Sequence, residues 1–262
     1  MTQQRVLITG AAGGVGTLMR PRLARPDRVL RLLDVAPVPA GDGVEVITAS
    51  VTDPEAMAAA CADVDVVIHL GGHSREAPWA DILAVNIDGT YRVLEAARHA
   101  GVRLVIFASS NHAVGFHPAS SAPDYLFPRP DTYYGVSKVA GEALGSMYHD
   151  RYGLNVLSVR IGTCIERPET ERHLGTWLSP DDCARLLEAA ISLPSLGFRV
   201  VWGASANTRG VYSLDEAKAL GYEPRDDSEV YANDVTPASD LDKAFLGGVE
   251  FCGPDAVPPP RN

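Results

Sequence analysis

Along this chain, short runs of consecutive apolar residues alternate with longer stretches in which apolar positions recur every three or four residues. The runs Val6–Thr9, Val29–Asp34, Val44–Thr48, Val66–Leu70, Leu104–Ala108, Val156–Arg160 and Phe198–Trp202 read as strands. They are apolar throughout rather than alternating, as strands covered on both faces must be. Between them, Val15–Ala24, Pro54–Ala62, Ala80–Ala100, Thr132–Tyr152 and Pro180–Leu193 read as helices. Ser179 before Pro180 is a capping side chain followed by a residue whose missing N–H costs nothing at the first helical position. Regular β/α alternation predicts an α/β fold, a Rossmann-like doubly wound parallel sheet. No repeat or linker divides the chain, so residues 1–262 are expected to form a single domain. Residues 161–232 are too few for a second large domain and are expected to supply a small C-terminal substrate-binding lid. Residues 233–262 carry no clear pattern, and the proline-rich stretch Pro254–Asn262 predicts an extended tail.

Composition narrows the function. Of 262 residues 46% are apolar, enough for a real core, and the formal net charge is −10, which argues against a nucleic-acid partner. No apolar run approaches the roughly 20 residues that span a bilayer. The stretch Met1–Arg5 runs straight into a strand, so no signal peptide is expected. The four cysteines (Cys61, Cys164, Cys183, Cys252) form no CxxC pair, and the seven histidines are scattered. That pattern predicts reduced thiols in a cytoplasmic protein with no structural or catalytic metal.

The first strand runs into Gly10-Ala-Ala-Gly13-Gly-Val15-Gly16 and then a helix. A glycine triplet there allows a tight turn, close approach of backbone to a pyrophosphate and helix packing on the strand, and the helix N-terminus offers free N–H groups to the phosphates. A bare triplet is a weak signal; its place between the first strand and first helix makes it a strong one. The second strand ends in Asp34, with no arginine in Val35-Ala36-Pro37. A carboxylate there accepts from both ribose hydroxyls of NAD and repels the extra phosphate of NADP, whereas the plainer alternative is a turn cap. Ser50-Val51 follows the third strand at the expected adenine side, and Leu70-Gly71-Gly72 ends the fourth, where missing side chains let the backbone pass close to a cofactor.

Tyr134-Gly-Val-Ser-Lys138 opens a predicted helix, and a spacing of four puts both side chains on one face. A nearby ammonium stabilises a phenolate and lowers its pKa, which makes a general base. Tyr133 falls on another face. An isolated YxxxK is ordinarily a surface pair; behind a nucleotide loop it gains meaning. Upstream, Phe107-Ala-Ser109-Ser110-Asn111-His112 ends the fifth strand, where strand C-termini face the ligand crevice. Either Ser109 or Ser110 could bond the reacting oxygen, and His112 alone reads as a packed loop histidine.

Taken together these residues resemble the extended branch of the short-chain dehydrogenase/reductase superfamily, which includes sugar epimerases and dehydratases. More narrowly, they resemble the uronate dehydrogenases. The likeness rests on His69-Leu-Gly-Gly-His-Ser74 with Pro78-Trp79, on Phe107-Ala-Ser-Ser-Asn-His112, on Arg160-Ile-Gly-Thr-Cys164, on Arg172 with Thr176-Trp-Leu-Ser179, and on Gly203-Ala-Ser-Ala-Asn207. It covers residues 5–232 in order. It implies NAD-dependent oxidation of C1 of a cyclic hexuronic acid, D-glucuronate or D-galacturonate, to the aldarolactone. Tyr134 would take the C1 hydroxyl proton; Lys138 would lower the Tyr134 pKa and hold the nicotinamide ribose; Ser110 would orient the reacting hydroxyl. Ser74, Asn111 and His112 would bind ring hydroxyls, Thr163 would lie near the substrate, and Arg172 would bind the C6 carboxylate. Thr163 stands where serine is expected and Ser50 where aspartate often follows the third strand. The superfamily commonly pairs the helices at Ala80–Ala100 and Thr132–Tyr152 into dimers, which implies a homo-oligomer.

Two other readings compete. A nucleotide-sugar epimerase or dehydratase needs a larger C-terminal domain than the roughly 100 residues after Arg160, and a dehydratase needs an acidic group that Ser110-Asn111-His112 does not offer. A non-catalytic NAD-binding sensor would be expected to lose the Tyr or the Lys.

Overall fold

The computed structural model describes residues 3–248. The expected tail at Pro254–Asn262 and Cys252 lie outside the described residues. In chain order, β1 (Gln4–Thr9), α1 (Gly14–Leu23), β2 (Arg28–Asp34), β3 (Val44–Thr48), α2 (Pro54–Cys61) and β4 (Val66–His69) form the first half. A helix then begins as α3 (Trp79–Asp81), passes through a π-helical segment (Ile82–Asp88) and continues as α4 (Gly89–Ala100). β5 (Leu104–Ser110), α5 (Tyr133–Tyr152), β6 (Asn155–Ile161), β7 (Thr163–Cys164), α6 (His173–Thr176), β8 (Trp177–Leu178), α7 (Pro180–Ser192), β9 (Phe198–Gly203), α8 (Asp215–Ala219) and α9 (Asp240–Ala244) follow.

Seven strands make one sheet in the order β3-β2-β1-β4-β5-β6-β9, parallel throughout. Every predicted strand is present, within two residues at either end, because both faces of the sheet are covered. One face packs Val6, Ile8, Leu104, Ile106 and Leu157 with Leu186 and Leu187 of α7. The other packs Leu7, Val67, Val105 and Val156 with Met57 of α2, Val93 and Leu94 of α4, and Tyr148 of α5. The chain order reverses between β1 and β4, which places a ligand crevice at their C-terminal ends.

Local chemistry sets the helix ends. The Asp53 carboxylate accepts from Glu55 N and Ala56 N at α2, and the Ser179 hydroxyl accepts from Asp182 N at α7. Thr132 does the same for Gly135 N, so α5 starts with Tyr133 and Tyr134 in its first turn. The long helix expected at Ala80–Ala100 is interrupted: residues 82–88 are π-helical. Such bulges re-aim side chains and concentrate at functional sites. Residues 233–248, unassigned by sequence, run back across the sheet end. Thr236 bridges to Thr170, Phe245 to Pro118, and Leu246 is buried with Val114, Ala122, Trp202 and Tyr212. Among the described residues Cys61, Cys164 and Cys183 are free thiols, and no helix is long and apolar enough to cross a membrane.

Candidate active site

At the nucleotide end, Gly10 has φ +70°, and an added Cβ would lie 2.7 Å from Gly71 N. An added Cβ on Gly16 would meet Gly10 O at 2.4 Å. Both positions therefore require glycine, and the loop from β1 is drawn tightly against the end of β4. Gly13 caps α1, and the first turn at Gly14 and Val15 opens toward the crevice with no acidic side chain in it. Asp34 holds the loop from the side: its carboxylate accepts from Ala12 N and Ala36 N, each at 2.9 Å. Those two bonds use about half of a carboxylate's acceptor positions. Val51 is buried, its methyls against the positions of Gly71 and Gly89. Ser50 is satisfied locally by Thr52, 2.8 Å away. Leu70 and Gly71 follow β4 directly, and Gly72 has φ +146°.

At the reaction end, Tyr134 and Lys138 share the buried face of α5, 9% and 8% exposed. Tyr133 is half exposed against Trp79. Burial pushes the Tyr134 phenol up to about 12; the Ser110 hydroxyl beside it pulls the other way, and the Asp131 charge pushes it further up. The lowering expected from Lys138 is not among these effects in the protein by itself. The ammonium lies 5.2 Å from the Tyr134 ring centre and 5.1 Å from that of Phe107, facing ring surfaces rather than the phenol oxygen. Burial draws Lys138 down to about 8. A buried ammonium facing two rings, with no hydrogen bond among the described residues, fits a ligand that brings its own acceptors, such as the hydroxyls of a ribose.

Between the two serines the structure decides. Ser109 donates to Glu142 at 2.6 Å, and Glu142 also takes a bidentate bond from Arg160 at 2.9 and 2.8 Å. Ser109 thus belongs to a buried structural network and Ser110 faces Tyr134. Ser110 donates to Asn111 Oδ1 at 3.0 Å and accepts from His112 N at 3.2 Å. His112 is buried, edge-on to Tyr134 with ring centres 5.7 Å apart, and its Nδ1 is 2.9 Å from both oxygens of Asp131. A carboxylate there accepts from Nδ1 and fixes the orientation of the ring. Ser74, by contrast, sits on the exposed loop after β4 with no hydrogen bond among the described residues.

The far wall is built by the segment after β6. Thr163 Oγ1 lies 3.0 Å from Thr176 Oγ1 across the β7–β8 pair. Trp177 is buried and donates to Ile165 O at 2.8 Å. The Arg172 side chain is only 9% exposed, and it pairs with neither Glu169 nor Glu171, the partners its charged sequence context offers. Glu171 instead takes Lys243 at 2.9 Å. Arg172 Nη2 donates to Leu246 O at 2.6 Å, and Asp242 stands 4.0 Å from its Nε. Asn111 Nδ2 donates to the same Leu246 oxygen at 2.7 Å.

Several residues of this site carry no sequence signal strong enough to single them out. Asn86, in the π-helical segment, accepts from His73 N at 2.8 Å and donates to His73 O and Ser137 Oγ at 3.0 and 3.2 Å, tying the loop after β4 to α5. The Glu76 carboxylate accepts from Tyr134 N at 2.8 Å and Tyr133 N at 3.2 Å, a charge at the start of α5. Asp131 sits just ahead of the Thr132 cap. A polar Asn inside an otherwise apolar helical pattern was the one available hint, at Asn86. His69 is settled as structural: burial, and less so the Lys138 charge, lower its pKa to about 3, and it links Thr9 and Thr90 at 2.8 and 3.0 Å.

Residues 6–220 match the family model described as "NAD dependent epimerase/dehydratase family". The chain is 43% identical to the uronate dehydrogenase of Pseudomonas putida over 93% of this chain and 94% of that one. It is 41% identical to the NAD-dependent glucose-6-phosphate dehydrogenase of Haloferax volcanii, over 92% and 99%. Among solved structures, a uronate dehydrogenase mutant from Agrobacterium tumefaciens complexed with NAD superposes with a TM-score of 0.91 at 41% identity, over 97% and 99% of the two chains.

Proposed function

Because this chain belongs to the NAD-dependent epimerase/dehydratase family, we propose that it oxidises the C1 hydroxyl of a cyclic hexuronic acid, D-glucuronate or D-galacturonate, to the aldarolactone with NAD as acceptor. What supports the reading is a chain of contacts, with His112 against Tyr134 and with Asn111 and the largely buried Arg172 side chain both donating to Leu246 O, together with uronate dehydrogenase relatives over nearly the whole chain. NAD would lie along Gly10, Gly13, Val15 and Gly16, with Asp34 taking the adenosine ribose, Val51 and the Leu70-Gly71-Gly72 backbone beside the adenine and nicotinamide halves, and Lys138 on the nicotinamide ribose. When bound, it supplies the acceptor for the hydrogen that leaves C1 with its electron pair.

The chain's own residues do the rest. Tyr134 takes the proton from the C1 hydroxyl, held against the Ser110 hydroxyl. Since burial keeps the phenol protonated in the protein by itself, the Lys138 ammonium is the group of this chain that would offset that cost. His112, its ring oriented by Asp131 at Nδ1, contacts a ring hydroxyl, and Asn111 and Ser74 take others. Arg172 grips the C6 carboxylate. A guanidinium fork matches a planar carboxylate with two parallel charge-assisted bonds. The exposed Leu83, Val136 and Met147 on the π-helical segment and α5 support a homodimer through that face, and the free thiols suit the cytoplasm.

The Haloferax relative favours one second reading, an aldose 6-phosphate, in which Arg172 would meet a phosphate. The test is NADH formation measured with D-glucuronate, D-galacturonate, D-glucose 6-phosphate and D-galactose side by side. Turnover of the uronates in large excess over the others is expected; preference for the 6-phosphate would replace the substrate assignment.

A further inference from the structure

Behind Arg172 lies a cavity of about 210 Å³ whose walls include Arg172, Thr176, Arg209, Tyr212, Lys243 and Leu246. Arg209 and Lys243 are committed to carboxylates, Arg209 to Glu229 through two bonds of 2.8 Å and Lys243 to Glu171 at 2.9 Å. Arg172 spends one N–H on the Leu246 carbonyl and keeps Asp242 only at 4.0 Å. It has donors to spare.

Tyr212 stands beside it. Its ring stacks on Trp202 with centres 4.2 Å apart and planes at 9°, within a cluster that includes Val114, Ala122 and Leu246. The residue is 8% exposed, and among the described residues its buried hydroxyl has no hydrogen-bond partner in good geometry. Asn111, close by, donates one Nδ2 hydrogen to Leu246 O and accepts from Ser110; donation of its other N–H toward the phenol oxygen still leaves the phenol's own hydrogen unspent. A buried hydroxyl whose hydrogen meets no acceptor is unfavourable, and phenylalanine would fill the same space without that cost. Burial raises the phenol's pKa, with Arg172 and Asn111 acting against it, so the group is a protonated donor at neutral pH. A rigid, unspent donor thus lies between Asn111 and Arg172, the two side chains placed on the sugar's hydroxyls and on its acid group.

We propose that the Tyr212 phenol donates a hydrogen bond to the C6 carboxylate held by Arg172, and so helps to select acidic sugars over neutral ones. This rests on the uronate reading above. A carboxylate offers about four acceptor positions and an arginine fork fills two, which leaves room for a third donor. The stacked ring is already fixed, so little freedom is lost when the bond forms.

The test is Tyr212→Phe, which keeps the ring and its stacking. With saturating NAD, kcat/KM for D-glucuronate and D-galacturonate should fall roughly 10- to 100-fold, the range for one hydrogen bond to a charged group, and mainly through KM. The Kd for NAD should be unchanged, and Tm should stay level or rise, because an unpaired buried hydroxyl has been removed. A merely structural phenol would give the opposite pattern, a lower Tm with uronate KM intact, and that result overturns the proposal. So does an active wild type whose uronate KM is indifferent to the substitution. A wild type inactive on every uronate overturns the substrate reading as well.

Discussion

Replacing Arg172 with alanine separates the contact this side chain makes in the structure from the role proposed for it. In the free protein it anchors the returning chain through its 2.6 Å bond to Leu246 O. Losing one hydrogen bond costs roughly 1 kcal/mol, which in a protein of this size lowers Tm by about 2–4 °C. In the proposed complex it would face a carboxylate from a site where only 9% of its side chain meets water. Removing one partner of such a desolvated pair costs roughly 2–5 kcal/mol. At about 1.4 kcal/mol per tenfold, kcat/KM for uronates should fall roughly 30- to 3000-fold. Steady-state assays of NADH formation, run beside thermal melts, read both effects. Any turnover of D-galactose or D-glucose should change little, since those sugars carry no acid group. Arg172→Lys should recover part of the uronate loss, because an ammonium keeps the charge without the fork. Equal losses on acid and neutral sugars would reduce Arg172 to an anchor for the Leu246 segment. No loss on either would refute the carboxylate assignment.

Further outcomes follow from the same geometry. Tyr134→Phe should retain NAD binding, measured by titration, and remove most turnover; near-normal turnover would move the base elsewhere. NAD should serve far better than NADP, and Asp34→Ala should narrow that gap, although its bonds to Ala12 N and Ala36 N mean that affinity for both will drop. Equal use of NADP by the wild type would contradict the role given to Asp34. Lys138, drawn down by burial from 10.5 to about 8, loses its positive charge as pH rises through about 8 in the free enzyme. The kcat/KM for NAD, which reports free-enzyme ionisations, should therefore bend downward above about 8. Lys138→Arg, which stays charged, should lift that bend, and a profile that climbs unbroken to pH 10 would contradict it.

Strands buried on both faces leave a continuous apolar run that nothing else in a soluble chain requires, so all seven were legible, as were the helices capped by Thr132 and Ser179. Gly10, Asp34, Tyr134 and Lys138 were legible because each lies at a fixed distance from an element end. What sequence could not choose was between neighbours: Ser109 and Ser110 differ only in that Glu142, 33 positions later, captures the first. Asp131, Glu76 and Tyr212 act through contacts that the fold alone creates. The Arg172 case is similar. Glu169 and Glu171 lie beside it in sequence, yet the partner is a carbonyl 74 residues away in a segment with no pattern of its own. The π-helical turn at Asn86 was hidden because apolar spacing over Ala80–Ala100 fits a regular helix about as well. Four-residue spacing puts a lysine near Tyr134 but cannot reveal that burial raises the phenol's pKa.

The central claim, oxidation at C1 of a uronic acid by this site, is tested most directly with D-galacturonate carrying deuterium at C1. The wild-type enzyme and NAD should yield the aldarolactone, with the deuterium recovered on C4 of the nicotinamide ring of NADH in the proton NMR spectrum. Product formed with unlabelled NADH, or no NADH from the uronate while D-glucose 6-phosphate yields it, would contradict the account.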